Sequence, residues 1–96
     1  MSHLRLIVLD VLKPHKPILP DFAEHLATLE NILGVNMSVI EIDQKTETVK
    51  ISIEGVNLSY AAIQQEIESL GGTIHSIDKV AAGKKIIEEV NTAQDR

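Results

Sequence analysis

The stretch Leu4–Leu12 is apolar on both strand parities. Leu4, Leu6, Val8 and Leu12 share one side with Asp10, while Ile7, Leu9 and Val11 share the other with Arg5. A strand with one face in water alternates apolar and polar residues; one that is apolar on both sides belongs inside a sheet, covered above and below. With 96 residues the chain is expected to form one domain, residues 1–96. A domain of that size packs in two layers, so its helices reach only one face of the sheet. The other face needs a different cover, and a second copy of the chain is the simplest one. This strand therefore predicts a central position in the sheet and a partner subunit.

The residues after the strand set the order of elements. Pro14 and Pro17 in Lys13-Pro14-His15-Lys16-Pro17 force extended or turn geometry. Pro17 or Pro20 suits the first turn of a helix, and Asp21 and Glu24 complement its dipole. Ile18, Phe22, Leu26, Leu29 and Leu33 recur every three or four positions, which predicts an amphipathic helix ending near Gly34. Val35–Asp43 and Thr48–Gly55 read as a hairpin. The second member alternates cleanly, with Val49, Ile51 and Ile53 on one side, and the parity of the first changes near Val39-Ile40, which predicts a bulge. Asn57 or Ser59 can cap a second helix with a stripe of Tyr60, Ile63, Ile67 and Leu70, stopped by Gly71-Gly72. Thr73–Ala81 is the fourth strand. Lys84–Ala93 is read as a short terminal helix, with a frayed tail over Thr92–Arg96. The order β-α-β-β-α-β, with two right-handed crossovers, gives an α+β, ferredoxin-like two-layer sandwich: a four-stranded antiparallel sheet with both helices on one face.

That fold hosts many functions, so composition and motifs must narrow them. Fourteen acidic against nine basic residues give a net charge of −5, and Phe22 and Tyr60 are the only aromatics. General nucleic-acid binding wants a basic footprint and stacking platforms, and the chain offers neither. The absence of cysteine removes disulfides, thiolate metal sites and the paired-cysteine loop of heavy-metal carriers. No apolar run is long enough to span a membrane, and the start lacks signal-peptide architecture, so the expected location is cytoplasmic. An acylphosphatase-type anion loop would need an arginine after the first strand, and that loop has none. No glycine-rich phosphate loop, HExxH or nucleophile elbow occurs.

Several polar constellations remain. Asp10 interrupts an apolar parity, with Lys13 and His15 following; it is either a ligand-binding carboxylate or a strand end paired with Lys13. Strand four carries His75 and Asp78, which lie beside strand one in this topology and point to opposite faces unless a bulge intervenes. Asp10, Lys13, His15, His75 and Asp78 form the candidate ligand-binding set. Glu41, Asp43 and Glu47 surround the hairpin; these hard oxygen donors suit Ca²⁺ or Mg²⁺, especially with a ligand from another subunit, and otherwise make a solvated acidic tip. Lys84-Lys85 with Glu88-Glu89 is ordinary helix-surface charge.

Three blocks together resemble a known family. They are Arg5-Leu6-Ile7-Val8-Leu9-Asp10-Val11-Leu12-Lys13-Pro14-His15, then Gly34-Val35-Asn36 through Glu41-Ile42-Asp43 and on to Gly55, and finally Gly71-Gly72-Thr73-Ile74-His75-Ser76-Ile77-Asp78 through Lys84. They resemble the archaeal domain-of-unknown-function family 211 across nearly the whole chain. The resemblance implies a ferredoxin-like domain that forms homo-oligomers, rings included, and an archaeal source. It brings no activity and no catalytic residues.

The function expected from these readings is an oligomeric binding or regulatory module that holds a hard cation or small metabolite between subunits. The alternatives are an enzyme with an acid–base site assembled between subunits from Asp10, His15 and His75, and a purely structural oligomer.

Overall fold

A computed structural model describes residues 3–90. Its elements run β1 (Leu4–Pro14), α1 (Leu19–Ala27), β2 (Ile32–Ile42), β3 (Thr46–Gly55), α2 (Tyr60–Ser69) and β4 (Thr73–Ala82). The sheet order is β2-β3-β1-β4 and every pairing is antiparallel. This is the α+β ferredoxin-like arrangement that the hydrophobic pattern predicts, with β1 inside the sheet between β3 and β4.

One face of β1 lies in the core. Ile7, Leu9 and Val11 meet Val49, Ile51 and Ile53 of β3 beneath Phe22 and Leu26 of α1 and Ile63 and Ile67 of α2, and all ten are buried. Each such side chain contributes about 1.5–3 kcal/mol through removal from water. Pro20 occupies the first turn of α1, and Ser59 caps α2 by accepting from the Ala62 amide at 3.2 Å. Gly71 leaves α2 with a φ of +90°, a left-handed value that favours glycine.

Helix α1 is shorter than its apolar spacing suggests. It ends at Ala27, and Leu29 and Leu33 lie beyond it. The Thr28 hydroxyl donates to the His25 carbonyl at 2.7 Å, and Asn31 turns the chain at a φ of +72°. Asparagine tolerates that conformation, so β2 starts at Ile32, three residues before the expected Val35. The predicted change of parity in β2 is a register shift between Val39 and Glu41.

The terminal helix is not formed over residues 84–90; the rest of the predicted segment and the tail, residues 91–96, lie outside the described residues. Local charge pairing loses to contacts with the sheet. The Arg5 guanidinium donates to the Lys84 carbonyl, and Glu89 pairs with Lys79 of β4 at 2.9 Å, away from the Lys85 partner that a helix would have given it.

Gly55 closes the end of β3 where no side chain fits. A Cβ there would lie 2.0 Å from the Asn31 carbonyl oxygen and 2.5 Å from Leu58 Cδ2. The Gly55 carbonyl accepts from Arg5 Nε at 2.9 Å, and the Val56 amide donates to Asn31 at 3.0 Å, so the backbone is held on both sides. Gly55→Ala is expected to destabilise the fold by about 1–3 kcal/mol in urea unfolding. A variant as stable as the parent would show that this corner relaxes freely.

Candidate functional site

The polar residues singled out in the sequence fall into two groups on opposite faces of the sheet. The first group sits on the helix side, where β1 leaves the sheet. Lys13 continues the buried parity of Val11 and faces Glu47 across the β1–β3 ladder. Its side chain is fully buried, with Nζ 5.8 Å from the centroid of the Phe22 ring. A buried ammonium requires compensating partners. Lys13 Nζ donates to the Pro14 carbonyl at 2.8 Å and to Glu47 Oε1 at 3.1 Å. His15 engages the other carboxylate oxygen, Nδ1 to Oε2 at 2.9 Å, and its Nε2 lies 2.9 Å from the Gln44 carbonyl oxygen.

A carbonyl only accepts, so Nε2 carries a proton, and protonation of the whole ring lets Nδ1 donate to Glu47 as well. The hydrogen bond to Glu47, helped by the Gln44 carbonyl, raises the His15 pKa above its ordinary value. The same bond, joined by the one from Lys13, lowers that of Glu47. Both Glu47 oxygens are occupied, one by each cation. The cluster ties the exit of β1 to the β2–β3 turn and engages both oxygens of Glu47.

The second group lies on the sheet face that the helices do not cover. Leu6, Val8, Asp10 and Leu12 project there from β1. Asp10 stands between Lys50 of β3 and Ser76 of β4. Its Oδ1 is buried and has no hydrogen-bond partner. Beside it is a hollow of about 310 Å³ lined by Asp10, Leu12, Thr48 and His75. Simple alternation would place His75 and Asp78 on opposite faces. Register shifts in the β1–β4 ladder, between Val8 and Leu9 and between Asp10 and Val11, undo that alternation. His75 therefore lines the hollow beside Asp10, and Asp78 lines a neighbouring one with Val8, Ile40, Lys50 and Lys79. The Ser76 hydroxyl donates to Asp78 Oδ1 at 2.6 Å.

The five candidate ligand-binding residues thus divide. Asp10, His75 and Asp78 share the open face, and Lys13 and His15 belong to the clamp on the helix side. The candidate acidic set does not come together: Glu41 and Asp43 are exposed at the hairpin end, and Glu47 is drawn to Lys13 and His15. Among the described residues no three His, Asp or Glu side chains are close enough to hold a metal ion. Within one chain the proposed acid–base trio is also split, because His15 lies on the side opposite Asp10 and His75. The Lys13–Glu47 pair had a signal in the sequence that parity alone could have supplied: each residue extends the buried side of its own strand by one step.

A family model described as "Uncharacterized ArCR" matches residues 5–96. An uncharacterised protein of Methanocaldococcus jannaschii is 64% identical over 96 residues, spanning 100% of this chain and 99% of that relative. Among the described residues, no helix is long and apolar enough to cross a membrane.

The clamp makes stability depend on pH. A histidine whose folded pKa is raised stabilises fully below its unfolded value of about 6.5, and that contribution is lost as pH rises through the folded value. A glutamate whose folded pKa is lowered contributes above its unfolded value of about 4.3 and loses that as pH falls through the folded one. The stability difference between the parent and His15→Asn is therefore expected to be largest near about pH 5.5 and to shrink in alkali, read from urea unfolding across pH. A pH-independent difference would contradict the ion pair. Glu47→Ala leaves the Lys13 ammonium buried with only a carbonyl partner, and is expected to cost on the order of 3 kcal/mol.

Proposed function

The chain belongs to domain-of-unknown-function family 211, and from that premise and the uncovered sheet face we propose that it is a self-associating, non-enzymatic binding module. The observation that carries this reading is the second face of β1. Leu6, Val8 and Leu12 lie opposite the helices, joined by Ile40 from the bulge in β2. Leu12 is 42% exposed and Ile40 is 60% exposed, at positions on a sheet that are usually polar when they face water. These apolar residues are interspersed with Asp10 and with Thr48, Lys50, Ser52 and Glu54 of β3, the mixed composition of a non-obligate interface. Asp10, Lys50, Glu54 and Asp78 supply charges of both signs within it, which suits a surface meeting a copy of itself.

An enzymatic reading has less support. His15, whose pKa is raised, is committed to Glu47 and Gln44 in the clamp. Asp10 and His75 offer a place to bind, without a third acid or histidine close by among the described residues.

Sedimentation velocity at micromolar concentration is expected to give one species heavier than the 10.6 kDa chain. Ile40→Glu adds a charge to the apolar face at an exposed position, so it is expected to shift the protein to monomer with its circular dichroism unchanged. A parent that sediments as a monomer would overturn the assembly part of the proposal.

A further inference from the structure

The hollow beside Asp10 has a composition that selects its ligand. Asp10 contributes a carboxylate whose buried Oδ1 has no hydrogen-bond partner. An unsatisfied buried oxygen is costly, and more so on an ionised group, so a carboxylate that turns Oδ1 toward a donor in the hollow recovers what folding removed. Thr48 adds a hydroxyl, His75 an imidazole nitrogen and Leu12 an apolar wall. No lysine or arginine lines the hollow, so carboxylates and phosphates have no counter-charge in it. The nearby lysines, Lys50 and Lys79, line the adjoining hollow, and Lys79 is paired with Glu89. A divalent cation would need more ligands than one carboxylate and one imidazole, and no third acid or histidine is close enough to complete the set among the described residues.

We propose that this hollow binds a small ligand through a primary ammonium group. An ammonium carries one positive charge and three N–H donors, and the residues that line the hollow carry three acceptors: the Asp10 carboxylate, the Thr48 hydroxyl and a His75 ring nitrogen. Leu12 covers the alkyl stem that follows the nitrogen. The volume of about 310 Å³ suits a short aliphatic amine, at the small end of ligand sites. The inference rests on the binding-module reading and names its ligand class. It requires the open face but not the second copy, which would serve only to close the hollow over the ligand.

Amide NMR titration tests it, with n-butylammonium as the probe. Saturable shifts are expected at the amides of Asp10, Leu12, Thr48 and His75. Tetramethylammonium, which has the charge but no N–H, and butyrate, which has the opposite charge, should leave them in place. Asp10→Asn should weaken binding at least tenfold. If that variant does not fold, Thr48→Val, which keeps the side-chain shape and removes one acceptor, should weaken it severalfold. Shifts that are absent at millimolar amine, spread over the surface, matched by tetramethylammonium, or insensitive to these substitutions would overturn the proposal. A stronger Asp10-dependent response to Mg²⁺ or Ca²⁺ would overturn it in favour of a metal site. Sedimentation of the same samples separates the two readings. A monomeric parent that still binds the amine overturns self-association and upholds the amine site, whereas an assembled parent that shows no saturable shifts overturns the amine site alone.

Discussion

Everything in this fold is arranged around a strand that has no polar face. β1 pairs with β3 on one side and β4 on the other, so its backbone groups are satisfied within the sheet. Its side chains impose the harder condition. One row, Ile7, Leu9 and Val11, takes the centre of the core under both helices. The other row is left to a sheet face for which the described chain has no further helix. Burial of the first row stabilises the monomer, and exposure in the second, greatest at Leu12, is what a partner would relieve.

The polar residues on β1 mark where each row ends. On the core side the apolar run stops at Lys13, and the fold keeps that charge inside by giving it Glu47, with His15 closing over the same carboxylate. Such a cluster adds little net stability relative to an apolar one, but losing one member is expensive, so it fixes the register between β1 and the hairpin. On the open side the run is interrupted by Asp10, which receives no such compensation at Oδ1 within the described residues. Two carboxylates of one sheet thus have opposite fates: Glu47 has both oxygens engaged, while Asp10 keeps an oxygen without a donor among the described residues.

Much of the architecture is legible in the sequence, because each element has its own period and its own stop. The alternation of Val49, Ile51 and Ile53, the Ser59 cap and the Gly71-Gly72 stop all describe local events, and local rules suffice for them. The end of α1 escapes those rules because Leu29 and Leu33 continue the helical spacing while Asn31 turns the chain. The terminal segment escapes them because Glu89 pairs with Lys79, a partner that belongs to another element. The site is legible only in part for the same reason. Asp10 and His75 stand out by type, but their meeting depends on bulges in the β1–β4 ladder, and alternation counts residues as though there were none. Glu47 resembles part of an acidic tip because Glu41 and Asp43 are its neighbours in sequence, whereas Lys13 is its neighbour across the ladder.

The central claim is that the second face of β1 is covered when the protein is at working concentration. Methyl NMR with a soluble paramagnetic agent reads this directly. The methyls of Leu12 and Ile40, 42% and 60% exposed in the single chain, should be protected at high protein concentration and become accessible on dilution, while those of Ile7, Val8, Leu9 and Val11 stay protected throughout. If the first set is as accessible at high concentration as at low, β1 carries its apolar face into water and the account is wrong.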